Sequence, residues 1–109
     1  MAGEESAGYT VYILSCADGA YYTGMTRDLA RRLGEHRAGR GSRWVAQRLP
    51  VEIVFALDGM SYHSAWEIER YIKTLTRARK QALIEGDARM LALVEKRKVE
   101  EGGKCKKLR

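Results

Sequence analysis

Residues 9–25 read YTVYILSC-ADG-AYYTGM, two runs rich in β-branched and aromatic residues around a short turn sequence. Such runs favour extended backbone, and Asp-Gly between them is a strong hairpin signal. The loop length decides what the two strands present. A two-residue Asp18-Gly19 loop would set Ser15 opposite Tyr22. It would leave Tyr12 and Tyr22 on opposite faces, because side chains alternate along a strand. A three-residue loop, Ala17-Asp18-Gly19 with Gly19 in the left-handed region, moves the register by one. Leu14 then faces Tyr22, Tyr12 faces Gly24, and both tyrosines share a face. This three-residue loop is the expected one, and Gly24, with no side chain, then leaves open space beside Tyr12.

Working outward, residues 1–8 read as a flexible leader. Asp28 can cap a helix from Leu29 to Ala38, which Gly39-Arg40-Gly41-Ser42 ends. Residues 43–49 are basic and fit neither pattern. Pro50 opens a third strand, VEIVFAL, at a position where a missing donor is tolerated, and Asp58-Gly59-Met60 reads as a turn. Ser61 or Ser64 can cap a long helix to about Leu75, Thr76 a further helix closed by Gly86, and Asp87 to about Val99 a last one. Residues 100–109 are a loose basic tail. The order is β-β-α-β-α-α, an α+β fold with a small three-stranded antiparallel sheet flanked by helices. The folded unit is residues 9–99.

A chain of 109 residues suits one domain. No apolar run is long enough to span a bilayer and no secretory signal is visible, so the expectation is a cytoplasmic protein with no membrane association. Cys16 and Cys105 have no nearby cysteine partner, which argues for free thiols rather than a disulfide scaffold or metal knuckle. The net charge of +6 is concentrated in blocks. Residues 27–48 carry seven arginines against two acids, and residues 96–109 seven bases against two acids. Blocks of this kind suit a polyanionic partner, since each neutralised phosphate releases counterions; a solvated basic surface is the plain alternative.

Helical periodicity sharpens the candidates. At about 100° per residue, Arg32 and His36 lie on or beside the stripe that carries Leu29 and Leu33, whereas Arg27, Arg31 and Glu35 fall on the far side. A cation beside a buried face needs an anionic partner, and a phosphate would serve. On the long helix, Ile68, Ile72 and Leu75 form the core stripe, with Glu69 at its edge and Glu67 facing water. If one carboxylate holds a metal in the sheet-side cleft, it is Glu69.

These segments resemble the GIY-YIG nucleases. Thr10-Val11-Tyr12, followed by Tyr22-Thr23-Gly24, looks like the family's paired motif. RDLARRLGEH is similar to its following helix, and AWEIERYIK to the helix with its metal-binding glutamate. The likeness covers roughly residues 9–85 and is greatest to small stand-alone bacterial members. Thr10 stands where the family has its first glycine, and Thr23 where it has the central isoleucine of the second triplet; neither position supplies reacting groups. The resemblance implies an endonuclease that hydrolyses phosphodiester bonds in DNA, structured or single-stranded. It implies a catalytic set of Tyr12, Tyr22, Arg32, His36 and Glu69, with Mg²⁺ or Mn²⁺ on Glu69.

In that scheme Arg32 forks onto the scissile phosphate. Tyr12 or Tyr22 takes the proton from the attacking water, its phenol brought down from near 10 by Arg32 and the metal. Arg27, Arg40, Arg43, Trp44 and Arg48 are candidates for gripping the flanking strand, with Trp44 stacking on a base or simply covering the core. A protein partner that supplies specificity fits so small a domain. The alternative function is a non-catalytic or partner-dependent nucleic-acid-binding module on the same fold.

Overall fold

The computed structural model describes residues 8–98. The leader to residue 7, the basic tail and Cys105 lie outside the described residues. Strand β1 (Tyr9–Cys16) pairs antiparallel with β2 (Tyr21–Thr26) on one side and β3 (Val51–Met60) on the other, so the sheet order is β2-β1-β3. The helices are α1 (Leu29–Arg37), the short α2 (Arg43–Ala46), α3 (Tyr62–Thr74), α4 (Arg77–Ile84) and α5 (Ala88–Glu95). Three antiparallel strands with helices around them are the α+β architecture expected from the sequence.

The hairpin has the register that the turn chemistry demands. Leu14 pairs with Tyr22 and Tyr12 with Gly24. Gly19 adopts φ 87° and its amide donates to the Cys16 carbonyl, while the Cys16 amide donates to the Ala20 carbonyl. Only a residue without Cβ takes that conformation cheaply, so Gly19 sets which side chains share a face with Tyr12.

Each helix begins on a side-chain cap, which removes an orphan N–H for about 1 kcal/mol. Asp28 accepts from the Arg31 amide, Ser42 from Val45, Ser61 from Ser64, Thr76 from Arg79 and Asp87 from Met90. The basic stretch that fitted no pattern contains α2, which its Ser42 cap starts. The expected turn at Asp58-Gly59-Met60 is instead the end of β3. Tyr9 pairs with Met60, the register slips between Tyr9 and Val11, and Gly59 sits at φ 79°. The same dipeptide therefore makes a bulge, because β1 is long enough to keep pairing past it. The last helix stops at Glu95, short of the Val99 expected, which is not among the described residues.

Helices cover both faces of the sheet. Val11 and Ile13 pack with Ala65, Ile68 and Ile72 of α3, Leu83 of α4 and Val94 of α5. Tyr12, Leu14 and Cys16 face the other way, toward Val45 of α2 and Leu29 and Leu33 of α1. The central strand is thus buried on both sides, which accounts for its nearly unbroken apolar run. No helix among the described residues is long and apolar enough to cross a membrane.

Candidate active site

Tyr12 lies in the middle of β1, 1% exposed, with its ring against α1. Its hydroxyl is 2.9 Å from Nε2 of His36, which α1 buries completely. Tyr22, half-buried on the neighbouring strand, completes a ring cluster. Its centroid is 6.4 Å from that of Tyr12 and 5.3 Å from that of His36. Both phenols and the imidazole therefore meet on one face, as the three-residue loop requires. Gly24 is the reason the Tyr12 hydroxyl fits: a Cβ there would stand 2.6 Å from it.

Arg32, one turn before His36, donates from Nη1 to Oε1 of Glu35 at 3.0 Å. Glu35 also pairs with Arg31 at 3.4 Å, so it belongs to the site's edge and not to the far side of α1 as the wheel suggested. The Arg32 side chain keeps 34% exposure, enough to reach a ligand. Its hydrogen bond to Glu35, followed by the neighbouring phenols, raises its already high pKa against the opposing effect of burial.

Glu69 arrives from the opposite layer. Its helix packs against the Val11–Ile13 face, yet the carboxylate is close enough to resist ionisation of the Tyr12 phenol. Glu69 thus approaches from the layer opposite the one that covers Tyr12 and Tyr22. Glu69 is 17% exposed and Oε2 lies 3.3 Å from Nζ of Lys73, one turn later. Glu67, read as facing water, is half-buried and lies 3.7 Å from Nε2 of His63.

Arg32 alone does not lower the Tyr12 phenol below its ordinary range. The Tyr12 phenol is pushed up to about 12, not down. Burial is the main cause, with Tyr22 and Glu69 adding to it, while the Arg32 guanidinium pulls the other way. In the free protein Tyr12 is therefore a protonated hydrogen-bonding group.

His36 is held below its usual value of 6.5, by burial first and then by Arg32, against the pull of Glu35. An imidazolium would carry N–H groups at both ring nitrogens, and Nδ1 is buried without a partner and backed tightly by Gly41. A folded pKa below the unfolded one means that the unfolded chain takes the proton first, so stability falls as pH drops through about 6.5. In urea titrations from pH 7.5 to 5, wild type should lose more stability than His36→Gln. Parallel curves would show that this imidazole is not the group responsible.

Several proposed strand-gripping residues are used otherwise. Trp44 stacks on Tyr22 at 6.0 Å and 26°, and Arg48 lies over its ring 3.9 Å from the centroid. Trp44 thus covers Tyr22 while keeping 38% exposure. Arg48 is committed as well, at 3.1 Å from Asp18 of the hairpin loop and 2.8 Å from the Trp44 carbonyl. Arg27 lies over Tyr9, 5.5 Å from its centroid, and Tyr9 packs with the Val11–Ile13 layer. Arg40 and Arg43 are exposed.

Sequence reasoning missed Gly41, whose Cβ would stand 2.5 Å from Nδ1 of His36. In the chain it reads only as a helix stop. It also missed Lys73 and Lys80. The spacing of Lys73 four residues after Glu69 was a usable sign of an ion pair.

A lone carboxylate among hydroxyl groups suits a hard, oxygen-liganded cation that keeps most of its waters. A tetrahedral zinc centre does not fit, since no group of three His, Cys, Asp or Glu converges among the described residues.

The family model described as the GIY-YIG catalytic domain matches residues 8–82. A UPF0213 protein of Natronomonas pharaonis is 43% identical over 79 residues, covering 72% of this chain and 93% of the relative. The UPF0213 protein YazA of Bacillus subtilis is 36% identical over 81 residues, covering 74% and 82% respectively. The solution NMR structure of a UPF0213 protein from Bacillus halodurans, 34% identical, covers 76% of this chain and 92% of its own, with a TM-score of 0.48. The domain match and these relatives together place the chain in the GIY-YIG family.

Proposed function

We propose that the protein is a metal-dependent endonuclease that hydrolyses phosphodiester bonds in DNA. The observation that supports this reading is the grouping of Tyr12, Tyr22 and His36 on one face, with Gly24 making room for the Tyr12 hydroxyl and with Arg32 and Glu69 both near enough to act on that phenol. The family membership supports it.

Arg32 would bind the scissile phosphate, exchanging Glu35 for two phosphate oxygens that match its planar donors. Glu69 would hold Mg²⁺ or Mn²⁺, which when bound supplies Lewis-acid stabilisation of charge on the phosphate and acidifies water. Tyr12 donates or accepts at a fixed place because His36 holds its hydroxyl at 2.9 Å. For either phenol to take a proton from water it must ionise. Glu69 is one of the groups that hold the Tyr12 phenol up. Neutralising Glu69 therefore eases that ionisation. Trp44 and Arg48 fix the Tyr22 ring, and Arg40 and Arg43 remain available for flanking phosphates.

The test is a panel of labelled branched, duplex and single-stranded DNAs with Mg²⁺, Mn²⁺ or chelator. Metal-dependent cleavage by wild type that is absent in Glu69→Ala supports the reading. Salt-sensitive binding without a metal-dependent product favours the alternative of a binding module.

A phenolic base makes cleavage rise with pH through the alkaline range. Replacing the tyrosine that serves as base with Phe should cost about 10²–10⁴-fold and abolish that rise. The other Tyr→Phe variant should keep it. A rise that persists unchanged in both Tyr12→Phe and Tyr22→Phe removes the phenols from proton transfer.

A further inference from the structure

At the open edge of β2, beside the candidate active site, is a cleft of about 220 Å³. Tyr21, Tyr22 and Thr23 of β2 line it, with Trp44 of α2, Lys73 of α3 and Lys80 of α4. It differs from the arginine-bearing clefts beside α1 and between Arg70 and Arg97. Next to Arg31 and Arg32, Asp28 and Glu35 balance the charge. Between Arg70 and Arg97, Glu67 is present and both guanidinium groups lie over aromatic rings. The β2-edge cleft has two ammonium groups and no carboxylate in its lining. Lys80 has no ion-pair partner among the described residues, and Lys73 leans out to Glu69.

A second observation points to a ligand here. Thr23 is 5% exposed, and its hydroxyl is buried with no hydrogen-bond partner. A buried hydroxyl without a partner costs stability, and the family's isoleucine at this position would avoid that cost. A threonine makes sense if the hydroxyl has something to donate to. Lys73 stands one helical turn, about 6 Å of rise, from Glu69. A phosphate held in the cleft is therefore next to one processed at Glu69.

We propose that this cleft is a second phosphate subsite, which holds the strand phosphate adjacent to the scissile one between Lys73 and Lys80, with the Thr23 hydroxyl as a further donor. It deepens the nuclease reading and rests on it. Lys73 is shared between the Glu69 carboxylate and the phosphate, so the strand enters where a cation is already waiting.

The experiment is binding of a short fluorescein-labelled single-stranded DNA to the full chain, followed by anisotropy in chelator at several salt concentrations. Lys73→Gln and Lys80→Gln should each weaken binding about threefold to tenfold and reduce the salt slope by about 0.7, the value for one lost phosphate contact on a single strand. Arg89→Gln, an exposed charge on α5, is the control and should change the slope far less. Thr23→Val should weaken binding while leaving Tm equal or higher, the opposite of what a purely structural threonine would give.

If Lys73→Gln and Lys80→Gln match Arg89→Gln, or if wild type does not bind, the subsite is wrong. If binding depends on both lysines but no DNA is cut with Mg²⁺, the nuclease reading fails and the subsite stands. If DNA is cut but binding ignores the lysines, only the subsite fails.

Discussion

Glu69→Gln should reduce metal-dependent cleavage by about 10³-fold or more while the protein stays folded. Gln keeps the shape of the side chain but removes the charge that would hold the cation, and nothing nearby replaces it. Among the described residues no cluster of three metal-ligating side chains offers a substitute. Metal stabilisation of a phosphoryl transition state amounts to several kcal/mol, and each 1.36 kcal/mol is about tenfold in rate. The structural cost is small, because the i,i+4 pair with Lys73 ends on a lysine that is 57% exposed, and Gln keeps the volume of the Glu69 side chain. Such pairs contribute less than about 0.5 kcal/mol. Steady-state cleavage and thermal melts of the same preparations separate the two effects. Cleavage by Glu69→Gln within tenfold of wild type removes this carboxylate from the chemistry.

Gly24→Ala should be strongly damaging for a change of a single methyl group. The added Cβ would stand 2.6 Å from the Tyr12 hydroxyl and 2.8 Å from Cζ, closer than carbon and oxygen can pack. Tyr12 is 1% exposed and cannot swing into solvent, so either its ring moves off His36 or β2 moves off β1. Overpacking of this kind costs about 1–3 kcal/mol. In a domain of this size each kcal/mol lowers Tm by about 4–8 °C. Activity should fall further than stability predicts, because the displaced hydroxyl also loses the 2.9 Å contact with His36. Removing that hydroxyl with Tyr12→Phe in the Gly24→Ala background should restore part of the lost stability, a coupling that a double-mutant cycle measures. Additive effects would mean that the two residues do not meet as described.

The two expectations differ in what they probe. Glu69→Gln tests chemistry at a place where the fold is tolerant, whereas Gly24→Ala tests packing at a place where the fold has no slack. Both converge on the junction of β1, β2 and α3, where a side chain missing from one strand leaves room for a phenol from the next.

Much of this arrangement was legible in the chain because it depends on local geometry. The Ala17-Asp18-Gly19 loop set the hairpin register, and alternation then put Tyr12 and Tyr22 on one face. Helical periodicity picked Arg32 and His36 from α1 and Glu69 over Glu67, and a Ser, Thr or Asp marked every helix start except that of α2, whose Ser42 cap read only as part of a helix stop. These features involve residues a few positions apart, and their backbone geometry follows from residue type.

Only the tertiary structure decided what distant residues do to each other. Asp58-Gly59 could turn or bulge, and the pairing of Tyr9 with Met60 made it a bulge. Trp44 stacks on Tyr22 with Arg48 over its ring, and Arg48 is anchored to Asp18, 30 positions away. The Tyr12 phenol rises to about 12 and does not fall, because burial outweighs the nearby guanidinium. Lys73, Lys80 and Thr23 share a cleft only because α3 and α4 pack along the β2 edge. Desolvation and long-range contact depend on which layer covers which face, and that is settled when the helices close over the sheet.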